Sequence, residues 1–187
     1  MQYDKVNRQN ALQRAFSYLQ NLQGGYPQQS VIYYGSNAIG RSSILMRIEQ
    51  EAIKKKILCS HLEAIKGGEF TAEQVSTLKS LSETVGVNID GEVKISSRTY
   101  EDDLVDIFVE LGKAAQQSSN AVCLFVDEIQ YLPVKELTGL IMAIHRCNQL
   151  GLPLMFFCSG LPEVLKAVGN ACSYSERLFK FESIGKS

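Results

Sequence analysis

The sequence predicts an α/β domain built on a mainly parallel sheet, and three observations predict it. Short apolar runs alternate with longer segments whose apolar residues recur at helical spacing, the order that lays helices over a sheet. The runs at 121–126 and 154–158 are apolar without interruption, as strands covered on both faces are. The third observation is residues 31–43, VIYYGSNAIGRSS, where an apolar run passes through a glycine-bounded loop into hydroxyl residues that open a helix.

Residues 8–23 place Leu12, Ala15, Phe16, Leu19 and Leu22 on one helical face, and Gly24-Gly25 stops that helix. A buried strand at 31–34 leads into the glycine loop, and Ile44, Leu45, Ile48 and Ala52 carry a helix from Ser42 to about Lys56. Residues 57–64 read as a second strand, closed by Gly67-Gly68. Thr71 and Gln74 form a capping box for a helix bearing Val75, Leu78, Leu81 and Val85. Asp90-Gly91, set between alternating apolar positions, predicts a small β-hairpin insertion.

Glu101, Asp102 and Asp103 then open a helix with Leu104, Ile107, Phe108 and Leu111 on one face, ended by residues 118–120. The strand at 121–128 follows, then a helix at 135–150 with Leu137, Leu140, Ile141 and Ile144 turned inward. Pro153 introduces a buried strand ending at Ser159. A short helix at 162–168 leads to a last strand at 178–181.

At 187 residues, 45% hydrophobic and 21% charged, the chain can bury one sizeable core. A net charge of −1 leaves no broad footprint for nucleic acid or an anionic membrane, and Lys54, Lys55 and Lys56 read as a solvated helix end. No apolar run reaches the length of a membrane span and the start is polar, so the expected location is cytoplasmic, with no membrane partner. The five cysteines form no C-x-x-C pair, and three lie in apolar runs as small buried hydrophobes, so neither a disulfide framework nor a zinc site is expected. His61 and His145 have no metal-binding spacing.

The loop matches G-x-x-x-x-G-K-[ST] except at one position. Gly35 and Gly40 hold the glycine places, Ser36, Asn37, Ala38 and Ile39 lie between them, Ser42 and Ser43 supply hydroxyls, and Arg41 stands where lysine belongs. Glycines let backbone N–H groups approach phosphate oxygens, and the helix that follows adds its positive dipole end. Ser42 is a candidate Mg²⁺ ligand, while Arg41 keeps the lysine's charge and loses its compact shape. The alternative is a strand-to-helix turn with no ligand. At the end of the strand 121–128, Asp127 is placed to hold the Mg²⁺ hydration shell and Glu128 to orient and deprotonate an attacking water. Two acids capping the next helix are the competing reading.

With both landmarks placed, the chain resembles the core of AAA+ or STAND-type P-loop ATPases, especially prokaryotic proteins related to origin-recognition ATPases. The phrases that carry the resemblance are VNRQNAL, GSNAIGRSS, LFVDEIQYL, IMAIHRCNQLGLPL, SGLP and SYSERLF, in that order. It implies a P-loop NTPase three-layer sandwich, a five-stranded parallel sheet of order 5-1-4-3-2 with helices on both faces. It also implies ATP or ADP with Mg²⁺ as ligands, Arg8 as a nucleotide contact, Ser159 as the sensor of the outer phosphate and Arg177 as an arginine finger acting across a homo-oligomer. Asn7 departs from the glycine that precedes the arginine in that family. Residues 1–187 are then a nucleotide-binding core, the lid and any C-terminal domain lying outside it, and a DNA or protein partner would be met through those absent regions. Two functions compete: an ATPase weakened by Arg41, and a regulatory or interaction module that binds nucleotide without hydrolysing it.

Overall fold

Helix and strand alternate through the residues that the computed structural model describes, which are 2–36, 38–64, 66 and 100–184. Helix α1 spans Gln2–Gln23 and buries Ala11, Ala15, Leu19 and Leu22, which its 3.6-residue turn stacks on one side. It begins six residues before the predicted start at 8 and ends where Gly25 takes a φ of +83°, a conformation that favours glycine. Strand β1 (Ser30–Tyr34) enters helix α2 (Ala38–Lys54), and strand β2 (Leu58–Glu63) follows. The helix predicted from Thr71 and the hairpin at Asp90-Gly91 lie outside the described residues.

Helix α3 (Tyr100–Gln117), strand β3 (Val122–Asp127), helix α4 (Val134–Gln149), strand β4 (Leu154–Gly160), helix α5 (Val164–Ala171) and strand β5 (Phe179–Ser183) complete the order. The five strands form one sheet, β2-β3-β4-β1-β5, and every pairing is parallel, so the expected order is the observed one.

Period-two alternation sorts the strand side chains into two cores. From β3, Val122, Leu124 and Val126 face the core that includes residues of α3, α4 and α5, while Cys123 and Phe125 face the core shared with α1 and α2. Phe125 stacks on Phe157 at 5.6 Å between ring centres, and Phe108 meets Phe156 edge-on at 5.2 Å. Each such ring contributes about 1.5–3 kcal/mol by its burial. All five cysteines are free, and burial pushes the Cys147 thiol up to about 12, as expected of small core hydrophobes. No described helix is long and apolar enough to cross a membrane.

The register aligns the carboxyl ends of three strands. Tyr34 of β1 lies opposite Gly160 of β4, and Val126 of β3 lies opposite Cys158 of β4. In open parallel sheets that edge is where ligands bind.

Candidate functional site

The loop after β1 is shorter than the motif suggests. Helix α2 begins at Ala38, four residues before the predicted Ser42, so Gly40 and Arg41 belong to its first turns and not to an open loop. Alanine is the best helix former, and an earlier start carries the helix's free N–H groups back toward Gly35. Asn37 lies outside the described residues, and Ser36, Ser42 and Ser43 are exposed.

Arg41 turns inward and is 2% exposed. Its Nη1 donates to the Gly35 carbonyl at 2.6 Å and its Nη2 to Glu128 Oε1 at 2.6 Å, while its buried Nε has no hydrogen-bond partner. The guanidinium fork therefore ties the phosphate-type loop to the carboxylate that sequence reasoning assigns to water activation. A lysine at this position would bring one compact charge and no fork.

Asp127 closes β3 and is buried. Its Oδ1 accepts from the Glu128 N–H at 2.9 Å and from the Ser159 hydroxyl, and Oδ2 carries no hydrogen bond among the described residues. Ser159, fully buried, thus reaches Asp127, the sequence position read as a phosphate sensor being spent on the carboxylate. Glu128 leaves the strand with φ 53° and ψ 40°, the left-handed region that non-glycine residues rarely occupy. That turn frees its side chain to reach Arg41. It makes no side-chain cap on the 3₁₀ turn Ile129–Tyr131, which removes helix capping as an account of Glu128. Gln130, which sequence reasoning did not single out, donates to Glu128 Oε2 at 2.6 Å and accepts from the Leu161 N–H at 3.1 Å.

A cleft of about 590 Å³ opens between α1 and α2, lined by Arg8, Gln9, Leu12, Gly40, Ser43, Ile44 and Arg47. Arg8 lies so close over Gly40 that a Cβ there would stand 2.5 Å from its Nη2, so a side chain at this position would displace the guanidinium. The Arg8 Nε is buried without a hydrogen-bond partner. The structure thus brings together Arg8, Gly40 and Ser43 as the sequence suggests and adds Arg47, four residues past Ser43 on the same helical face. Sequence reasoning did not single out Arg47; the spacing of three to four residues from Gly40 through Ser43 is the signal that could have found it.

No three His, Cys, Asp or Glu side chains gather into a metal cage among the described residues. Of the two residues expected to hold Mg²⁺, Ser42 is exposed in the first turns of α2 and Asp127 is buried at the end of β3. Arg177 is exposed in the turn Ser175–Arg177 before β5 and forms no ion pair among the described residues. Its backbone carbonyl accepts from Gln29 Nε2 at 2.9 Å.

The sequence matches no protein-family model and no curated protein. Solved structures do match. The Aeropyrum pernix Orc1 protein in complex with DNA superposes over 96% of this chain with a TM-score of 0.53 at 14% identity. Cdc6p from Pyrobaculum aerophilum covers 94% with a TM-score of 0.61 at 12% identity, and a chain of Drosophila ORC bound to AT-rich DNA and Cdc6 covers 98% with a TM-score of 0.51 at 14%. The match takes in 45% of each of the two archaeal chains and 58% of the Drosophila one. Sheet order, layering and these likenesses agree on the fold: a five-stranded parallel sheet of P-loop NTPase type with helices on both faces, as in the Orc1 and Cdc6p structures.

Proposed function

We propose that this chain is a nucleotide-binding module that takes ATP or ADP with Mg²⁺ at the carboxyl edge of the sheet and hydrolyses ATP slowly. The observation that carries the reading is the Arg41 guanidinium, buried between the Gly35 carbonyl and Glu128. Backbone N–H groups at the start of α2 suit phosphate, and the adjoining cleft of about 590 Å³ has the size of a small-molecule site. Arg8 and Arg47 bring positive charge to its wall. Ser42 and Asp127 Oδ2 would hold Mg²⁺, which would neutralise charge on the outer phosphates.

Glu128 would take the proton from an attacking water. Both of its oxygens accept hydrogen bonds, Oε1 from Arg41 and Oε2 from Gln130. That engagement also favours the second reading, a module that binds nucleotide as a regulatory ligand without turnover. Ser159, through Asp127, would relay phosphate-side changes and not touch phosphate directly. The exposed Arg177 is a candidate finger toward a neighbouring copy. In a longer protein, DNA or another protein would be met by segments outside residues 1–187.

Titration calorimetry with ATP and ADP, with and without Mg²⁺, followed by a turnover assay, tests this. Binding at micromolar to millimolar nucleotide is the expected result, and absence of any binding at millimolar concentration ends both readings. For Arg177→Ala, turnover should fall only at protein concentrations where light scattering shows a nucleotide-dependent rise in mass. Equal turnover of this variant and the wild type at all concentrations removes the finger.

A further inference from the structure

Five contacts close a ring around the site. Arg41 donates to Gly35 O and to Glu128 Oε1, Gln130 donates to Glu128 Oε2 and accepts from the Leu161 N–H, and the Gly35 N–H returns to Gly160 O at 3.3 Å. The ends of β1, β3 and β4 are thereby linked through side chains as well as through the sheet. Gln130 is the side chain of the ring to which sequence reasoning gave no role.

We propose that Gln130 is the positioning residue of Glu128, fixing its carboxylate toward Arg41 by tying it to the end of β4. A primary amide suits this task because it donates and accepts at once, so one side chain spans a carboxylate and a backbone N–H. The fold makes room for it: a Cβ at Gly160 would stand 2.6 Å from Gln130 Oε1. Glu128 needs such a brace. Its backbone sits at φ 53°, and a carboxylate with one anchor swings where one with two anchors on opposite oxygens does not. The inference deepens the nucleotide-binding reading and rests on it for the meaning of Glu128, while the brace itself is a property of the nucleotide-free chain.

The test is amide hydrogen exchange at Leu161 in the nucleotide-free protein, read by NMR. Gln130→Met keeps the length of the side chain and removes both hydrogen bonds. Exchange at Leu161 should quicken tenfold or more while Phe125, in the core of β3, keeps its wild-type protection. Glu128→Ala, which leaves Gln130 in place, should also quicken Leu161, because the amide loses the anchor that orients it. Gly160→Ala, which displaces the amide without altering it, should do the same. Wild-type exchange at Leu161 in Gln130→Met, or in Glu128→Ala, overturns the proposal.

A single-turnover assay with Mg²⁺ and ATP adds the functional side. In an Arg41→Lys background, Gln130→Met should slow the chemical step tenfold or more with ATP affinity changed less than twofold. Affinity and rate falling together would show a merely structural role and overturn the positioning claim. Failure of the wild type to bind nucleotide would end the proposed function and leave the exchange result to decide the brace.

Discussion

The ends of β3 and β1 lie two strands apart in the sheet and have diverged differently from the pattern they resemble. At the end of β3, Asp127 is held by the Ser159 hydroxyl and the Glu128 N–H, an arrangement that leaves one oxygen for a metal shell. After β1, in the first turns of α2, the position that the motif gives to a lysine carries a guanidinium turned back into the protein. On the proposed reading, two acids kept beside a basic residue spent internally would separate ground-state binding from catalysis. Binding would draw on backbone N–H groups that the substitution leaves alone, while catalysis would need charge stabilisation that Arg41 does not offer from its buried pose.

Arg41→Lys breaks this contrast most directly. Lysine cannot hold the Gly35 carbonyl and Glu128 together, so its ammonium is free for the outer phosphates and Glu128 is partly released. Turnover should rise about a hundred-fold or more, since one well-placed electrostatic group is worth about 10²–10³ in rate. ATP affinity should stay within a few fold. A lysine variant no faster than the wild type, measured together with any natural C-terminal extension, would show that Arg41 is not what limits hydrolysis.

Much of this was legible in the sequence for specific reasons. Strand β3 announced itself because six buried residues in a row leave no amphipathic ambiguity, and the sheet order followed from a resemblance whose phrases occur in sequence. Asp127 and Glu128 were legible as a pair because acids at the end of an apolar run have no packing purpose. What Arg41 touches was not legible. Its partner lies 87 residues away and meets it only because β4 carries β1 and β3 on either side. Gln130 was hidden for another reason: its role depends on the left-handed turn at Glu128, which no local propensity announces. Arg8 over Gly40 was half legible, the arginine by resemblance and the glycine by motif, though their contact belongs to helix packing.

Glu128→Ala sharpens the comparison through stability. It leaves Arg41, 2% exposed, without its charge partner, and an uncompensated buried charge costs several kcal/mol. Because Glu128 itself is 20% exposed and water can enter, the loss should be about 3 kcal/mol, which is roughly 6–12 °C of melting temperature for a chain of this size. Glu128→Gln, which keeps an amide oxygen for Arg41, should lose less. A fall of under about 2 °C for the alanine variant would show that Arg41 finds water or another acceptor on its own.

The smallest effect belongs to the other arginine-carboxylate pair, and it isolates burial as the variable. Arg14 meets Glu182 with two hydrogen bonds of 3.0 and 2.8 Å, joining α1 to β5 with the same fork chemistry that Arg41 uses on Glu128. The Glu182 hydrogen bond raises the Arg14 pKa, so the guanidinium is charged at neutral pH. Yet half of the Arg14 side chain is exposed, where water competes for the guanidinium and salt screens it, while Glu182 is 12% exposed. Arg14→Ala should therefore cost about 0.5 kcal/mol, one or two degrees in melting temperature, and 1 M salt should erase most of it as the screening length shrinks to about 3 Å. Salt should leave the Glu128→Ala loss nearly unchanged, because its deficit is a desolvated charge and not a screened attraction. Melting both variants at ~0.15 M and ~1 M salt decides the point. If the Arg14 loss persists at high salt, or the Glu128 loss disappears there, burial is not what separates the two pairs.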